Sequence, residues 1–328
     1  MKALVCRKFG SFDDLSIDDI ADPIPSDRQV RIAVVEAGVN FGDALITAGQ
    51  YQIKPSFPFS PGMEAAGIVV DVGADVKKFK PGDRVMATCV YGGFAEEICV
   101  DQSVVFPVEN GVSFTTAAVF PICYGTARHA LVDCAAIKPG EWLLVLGAGS
   151  GVALTTIELA TMAGARVIAA ASSAQKLQAA KLAGAEATIN YQEELLRPAV
   201  AEITNGRGVH AVFDPVGGDM SEHALRTMAP GGRCLIVGFA AGRFPSIPAN
   251  LLLLKEWSVI GVNTAVLIER NPTLYRSRFA EMMQWAAKGE IKPLVARRYP
   301  LVRAVEALTA VTSRDVVGRI TVVIRDKM

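Results

Sequence analysis

The chain has 328 residues, 51% of them hydrophobic and 20% charged, and its 33 basic and 33 acidic side chains balance to a net charge of +0. That is ample for a large core and most naturally two domains. No basic tract or aromatic-studded stripe points to nucleic acid, and no apolar run reaches the length of a membrane span. The opening stretch MKALVCRKFG holds only a few apolar residues before Arg7 and Lys8, too short for a signal peptide, so the expected location is cytoplasmic. The six cysteines, Cys6, Cys89, Cys99, Cys123, Cys134 and Cys234, never form CxxC and are expected to be free thiols.

From the N-terminus the chain is rich in β-branched runs and turn signals. Lys2 to Cys6, Val30 to Val39, Ala66 to Val72, Arg84 to Ala87 and Ala95 to Val100 read as strands, punctuated by Pro23 to Pro25, Pro55 to Pro61, Lys80-Pro81-Gly82-Asp83 and Tyr91-Gly92-Gly93. This predicts a compact β-barrel. Helical patterning begins at Phe114 to Phe120 and continues over Tyr124 to Ala136, which places a domain boundary near Cys123.

The stretch Glu141 to Gln178 organises the middle of the chain. Leu143 to Leu146 is an apolar run too short for a helix, and after the turn signal Lys138-Pro139-Gly140 it reads as a buried strand. Gly147, Gly149 and Gly151 come next, then a helix from Val152 to Ala163 ending at Gly164, then a strand from Arg166 to Ala171. Strand, glycine turn, helix and strand form the βαβ unit that sets a pyrophosphate on a helix N-terminus, where free N–H groups and the helix dipole favour negative charge. With Gly151-Val152 at the helix start, the dinucleotide-fingerprint positions fall on Ala148, Ser150 and Ala153. Ser150 stands where the backbone approaches phosphate most closely, so its hydroxyl either donates to a phosphate oxygen or holds the cofactor farther off.

An NAD site carries Asp or Glu about 20 residues beyond the glycine loop to bind the ribose 2′-hydroxyl. Here Ala169 to Gln175 reads AAASSAQ and the first charge is Lys176. Ser172, Ser173 and Lys176 thus offer hydroxyls and a cation where a 2′-phosphate would sit, and Tyr191 can add a phenol, which predicts NADPH.

Alternation continues with helices over Leu177 to Leu182, Glu193 to Thr204 and Asp219 to Met228, and strands over Ala187 to Asn190, Val209 to Asp214, Arg233 to Val237 and Trp257 to Val262. This predicts a parallel, doubly wound α/β sheet. The turn Gly238-Phe239-Ala240 lies at the carboxyl end of a strand, where such sheets bind ligands. The last segments, a helix over Pro272 to Lys288, a strand over Ile291 to Tyr299, a helix over Val302 to Thr312 and a strand over Arg319 to Ile324, lack a glycine-loop signal and are expected to complete the first domain.

The motifs GVNFGDALITAGQY (Gly38 to Tyr51), PFSPGMEAAGIVVDVG (Pro58 to Gly73), FKPGDRV (Phe79 to Val85), FPICYGTARHAL (Phe120 to Leu131), the Gly147 to Lys176 unit, DPVGG (Asp214 to Gly218) and GGRCLIVGFAAG (Gly231 to Gly242) occur in this order. Together they resemble the quinone oxidoreductase, or zeta-crystallin-like, branch of the medium-chain dehydrogenase/reductase superfamily over essentially the whole chain. The resemblance implies a discontinuous GroES-like catalytic domain (1–123 and 264–328), a Rossmann domain (124–263), NADPH in the cleft and usually a homodimer. Zinc-dependent relatives have His where this chain has Met63 and often a cysteine-rich lobe. The three histidines, at 129, 210 and 223, show no metal-pair spacing, so no metal is expected.

By the same resemblance Asn40, Asp43 and Tyr51 face the nicotinamide, and Asn40 with the Tyr51 phenol holds a carbonyl oxygen as hydride arrives. Asp43 either joins them or only fixes the loop, and Tyr51 is either a proton donor or packing. Thr126, Gly151, Val152, Ser172, Lys176, Tyr191, Gly238, Phe239, Asn263 and Arg319 are implied cofactor contacts, as is Asn40. The expected activity is zinc-independent, NADPH-dependent reduction of quinones or α,β-unsaturated carbonyls. The alternatives are an enoyl-thioester reductase, for which Arg297-Arg298 is the one nearby basic doublet, and a non-catalytic NADPH-binding structural or sensor protein. The apolar strand Trp257 to Val262 is expected at a two-fold dimer interface.

Overall fold

A computed structural model describes residues 1–325. The chain divides into two compact units, Met1–Ile122 with the chain from Pro272 onward, and Cys123–Asn271. The second junction lies some residues beyond the expected 263/264, because Asn263 starts a further helix, Thr264–Arg270, that stays with the second unit.

The first unit is built on a seven-stranded sheet and a two-stranded hairpin, Lys2–Val5 with Ser16–Asp19. Its axis is the long strand Gln29–Val39. One edge of that strand pairs antiparallel with Glu64–Val72, and the other pairs with Glu97–Asp101 over its first half and with Arg319–Val323 over its last residues. Two register shifts against Glu64–Val72, at Arg31/Ile32 and Val34/Glu36, bend the strand so that it can serve three partners. Arg319–Val323 therefore stitches the C-terminal segment into the N-terminal sheet, with Val295–Pro300 parallel to it at the edge. The expected strand over Ile291 to Tyr299 is thus shorter and starts later. The core holds Val30, Ile32, Val34, Val85, Phe94 and Ile320, together with Leu308 from the helix Ala304–Ser313.

The second unit is a six-stranded parallel sheet in the order Ala187–Asn190, Arg166–Ala171, Trp142–Leu146, Val209–Asp214, Met228–Ile236, Ser258–Gly261. The direction of winding reverses between Trp142–Leu146 and Val209–Asp214, the switch point at which such sheets take nucleotides. All five residues of Trp142–Leu146 are buried, which is why that strand reads as an unbroken apolar run. Leu144 is fully enclosed among Leu146, Ile168 and Val212, and truncating such a side chain to Ala costs about 2–5 kcal/mol. The helix expected over Asp219 to Met228 stops at Leu225, and Met228 already opens the next strand.

Candidate functional site

In the first unit the site grows from the helix Phe41–Thr47, which the β-rich pattern around it conceals. Asn40 is its N-cap and Asp43 stands three residues on, a capping box in which the Asp43 carboxylate accepts the Asn40 N–H at 2.7 Å. Its other oxygen accepts the Gly62 N–H at 3.2 Å. Asp43 therefore fixes the loop against PGMEAAG, with each carboxylate oxygen accepting one backbone N–H. Burial pushes its carboxyl up to about 7, against the pull of the Asn40 N–H, with the nearby Glu64 charge adding to the rise.

Glu64, which sequence reasoning leaves without a role, is the centre of a buried cluster. Its carboxylate accepts from Asn40 Nδ2 at 3.0 Å, from the Ile122 N–H at 2.8 Å and from Arg319, whose Nη1 also donates to Asn40 Oδ1 at 3.0 Å. Desolvation raises the Glu64 carboxyl while Arg319 opposes the rise, and the hydrogen bonds that converge on it favour the ionised pair. Gly38 makes room for it, since a Cβ there would lie 2.4 Å from Glu64 Oε1. Arg319 is 7% exposed and ion-paired with Glu64 within its own unit. Asn40 has both side-chain heteroatoms engaged, Nδ2 with Glu64 and Oδ1 with Arg319.

Tyr51 is half-buried beside Gly42, where an added Cβ would come 3.7 Å from the ring and 2.7 Å from Met63 Sδ. Met63 thus packs over the helix, 6% exposed. Burial raises the Tyr51 phenol above its ordinary range, and the Asp43 charge adds to this, so the hydroxyl stays protonated and able to donate. In the basic doublet, Arg298 is forked onto the buried Glu36 at 2.9 and 3.0 Å while its side chain stays half-exposed.

In the second unit the glycine turn and the region after the second strand come together. Lys176 lies across Gly149, where a Cβ would meet Lys176 Cγ at 2.4 Å, and its ammonium donates to Ser172 Oγ at 3.2 Å. Ser173 caps the helix Ala174–Leu182 by accepting the Lys176 N–H at 3.5 Å. Tyr191 donates its N–H to Ala171 O at 3.2 Å, which sets it beside the end of the same strand. Ser150 is the N-cap of the helix Gly151–Met162, but its hydroxyl donates to Gly147 O at 2.9 Å. In this arrangement the hydroxyl shapes the glycine turn. The N–H groups of Gly151 and Val152 open the helix without a side-chain cap.

Asp214, buried at the switch-point strand, accepts from the N–H groups of Val216 and Gly217, each at 2.9 Å, and from the Ser221 hydroxyl. The turn so formed receives the Gly238 N–H on Asp214 O at 3.3 Å and the Ala240 N–H on Pro215 O at 3.2 Å, holding Gly238-Phe239-Ala240 at the strand ends. Phe239 is 38% exposed and edge-on to Phe244, with ring centroids 4.6 Å apart. Thr126 is half-buried on the helix Phe120–Arg128. Asn263 accepts the Ala265 N–H at 3.0 Å, so its carboxamide oxygen is a helix cap. Among the described residues no group of three or more His, Cys, Asp and Glu is arranged to hold a metal ion.

These features define a two-unit, dinucleotide-type dehydrogenase. Residues 26–110 match the alcohol dehydrogenase GroES-like domain, and residues 151–288 match the zinc-binding dehydrogenase family. Quinone oxidoreductase-like protein 2 of Bos taurus is 38% identical over 93% of this chain and 88% of its own length, and quinone oxidoreductase of Homo sapiens is 31% identical over 94% and 92%. The Escherichia coli quinone oxidoreductase crystallised with NADPH is 30% identical, with a TM-score of 0.92 and coverage of 99% of this chain and 100% of that one. The chain belongs to the quinone oxidoreductase branch of the medium-chain dehydrogenase/reductase superfamily, and it is an oxidoreductase of that fold.

Proposed function

We propose that the protein is an NADPH-dependent reductase that acts on quinones or α,β-unsaturated carbonyl compounds without zinc. The observation that carries the cofactor assignment is the seating of Lys176 over Gly149 with its ammonium 3.2 Å from Ser172 Oγ, a cation and a hydroxyl beside the glycine turn with no acid in the Ala169 to Gln175 stretch. The residues present fit a 2′-phosphorylated dinucleotide: uncapped N–H groups at Gly151 and Val152 suit a pyrophosphate, and Ser172, Lys176 and Tyr191 suit the extra phosphate. NADPH supplies the hydride when bound. The two solved relatives named as NADPH complexes, 29% and 30% identical, support the same choice.

On the substrate side the reacting group is a phenol. Tyr51 keeps its proton and donates to a carbonyl oxygen, stabilising the negative charge that builds there as a conjugated carbon is reduced. Asn40, clamped between Glu64 and Arg319, and Asp43, clamped between Asn40 and Gly62, hold the loop that carries Tyr51. Met63, packed over Gly42, takes the position of a metal-binding His and cannot polarise an alcohol, so an acceptor that is already electron-poor is favoured. The protein acts as a cytoplasmic homodimer in this reading, paired through the edge strand Ser258–Gly261. The test is NADPH oxidation against a panel of quinones, enals, enones and enoyl-CoA thioesters, with and without chelator. Turnover of quinones or enones that survives chelation supports the proposal; turnover of enoyl thioesters alone, or loss of activity with the chelator, rejects it.

A further inference from the structure

His129, Asp133 and Cys134 lie together on a turn that an α-helix could not provide. The segment His129–Cys134 is a π-helix, closed by the Ala135 N–H donating to Ala130 O at 2.8 Å, five residues back. In an α-helix a residue and its fifth neighbour point well apart, at about 3.6 residues per turn. The wider π turn brings residues four and five on to either side of the first. His129 Nδ1 is thus 2.9 Å from Asp133 Oδ2, and Cys134 Sγ is 3.6 Å from His129 Nε2. A carboxylate only accepts, so Nδ1 carries the imidazole hydrogen and Nε2 presents its lone pair to the thiol. That is the order of nucleophile, base and orienting group used to activate a thiol. Nothing in the reductase chemistry above uses it.

We infer that Cys134, His129 and Asp133 form a second reactive site, a thiol that adds covalently to conjugated electrophiles such as enones, enals and quinones. In the step, the Cys134 sulfur forms a bond to the β-carbon of the acceptor while His129 Nε2 takes the thiol proton. The carbon–carbon π bond opens toward the carbonyl, and His129 returns the proton to the α-carbon, so thiol plus acceptor become one saturated thioether with no oxidant or reductant required. Asp133 holds the imidazole in the accepting tautomer and stabilises it while it carries two protons. Burial and the Asp133 charge keep the free Cys134 thiol above its ordinary range, so the thiolate does not stand ready and is made only as the acceptor arrives. Cys134 is partly exposed, as are Cys89 and Cys99, whereas Cys6, Cys123 and Cys234 are buried. Cys99 is therefore an internal reference, a thiol of the same exposure class without a neighbouring imidazole.

The experiment labels the full-length, NADPH-saturated protein with a limiting amount of N-ethylmaleimide, itself a conjugated acceptor, and follows each cysteine by peptide mass spectrometry. Cys134 should be modified at least about tenfold faster than Cys99, a threshold set below the about hundredfold of an ordinary general-base contribution. His129→Asn should bring it down to the Cys99 rate, and Asp133→Asn should lower it partway, while the buried Cys234 of the same unit stays unlabelled in both and so reports that this unit is intact. Cys134→Ser should leave NADPH-dependent turnover unchanged, which separates this site from the reductase. Labelling of Cys134 no faster than Cys99, or a Cys134 rate insensitive to His129→Asn, overturns the inference whatever the reductase assay shows.

Discussion

Glu64 and Arg319, 255 residues apart in the chain, form a buried ion pair that ties the last described strand to the loop of Asn40. Neither side chain is more than 8% exposed, so each charge is kept by the other. Replacing Glu64 with Gln leaves a buried guanidinium without its counter-charge, and the expected cost is about 3–5 kcal/mol in urea unfolding. Adding Arg319→Met should return part of that loss, because the double change removes both charges together. A single Glu64→Gln variant within about 1 kcal/mol of the parent would mean that the pair does not hold the loop.

Asp43 gives the stability a pH signature. Its folded carboxyl is pushed up to about 7, well above the ordinary carboxylate range, because burial favours the neutral form. A folded state that keeps its proton longer than the unfolded chain is favoured at low pH, so this contribution is full below about 4 and is lost as pH rises through about 7. Unfolding free energy should therefore decline between those values. Asp43→Asn should flatten the decline in part, the remainder belonging to Glu64, which is displaced in the same direction. A parent profile that rises over this interval, or one untouched by Asp43→Asn, would contradict the assignment.

The Rossmann unit was legible because its signals are local: the run Leu143 to Leu146, the glycines behind it and the missing acid before Lys176 all lie within one βαβ segment. The Glu64 cluster was not, since its members come from residues 40, 64 and 319 and only strand pairing brings them together. The helix Phe41–Thr47 could have been read from Asn40 and Asp43 at capping-box spacing, but the β-rich flanks dominated the pattern. Ser150 stands out in the sequence, yet which way its hydroxyl turns depends on the Gly147 carbonyl, a backbone detail with no sequence signal. The same limit hid the π turn, for a helix and a π-helix share one hydrophobic pattern until the extra residue is accommodated.

Tyr51 is the residue expected to act in the chemical step. Tyr51→Phe removes only the hydroxyl and keeps the ring beside Gly42 and Met63. Turnover with a quinone or enone should fall by about a hundredfold, the lower end for loss of one general-acid or oxyanion donor. NADPH affinity, measured by quenching or calorimetry, should be almost unchanged, since an interaction made mainly in the transition state acts on kcat. An unaltered kcat would return Tyr51 to a packing role.

The strand Ser258–Gly261 lies at the end of the parallel sheet, and the helix before it exposes Leu253 and Leu254. The Val262 N–H points inward to Ile236 O, so by alternation the N–H groups of Val259 and Gly261 face the open edge. An open edge of this kind needs a partner or cover. Light scattering at micromolar concentration should report a dimer, and Val259→Pro, which removes only an outward donor, should shift it toward monomer. A fully active wild-type monomer would exclude this edge as an obligatory interface.

Lys176 is the residue expected to decide which nicotinamide is used. Its stem rests on Gly149 and its ammonium meets Ser172 Oγ at 3.2 Å, so both donors are set beside the glycine turn before any ligand arrives. Charge-assisted hydrogen bonds contribute about 1.5–3 kcal/mol each, so one Lys with one hydroxyl can favour NADPH by roughly two orders of magnitude in kcat/KM. Lys176→Ala should weaken NADPH use by about tenfold or more and leave NADH use nearly as it was, because NADH has no phosphate to lose. Ser172→Asp should go further, since it adds the acid that NAD sites carry and repels the phosphate. Gly149→Ala is the geometric control: its Cβ would displace the Lys176 stem, so it should reproduce the Lys176→Ala preference with the ammonium still present. Equal impairment of both cofactors by Lys176→Ala, or a wild-type protein that uses NADH as well as NADPH, would place the phosphate site elsewhere.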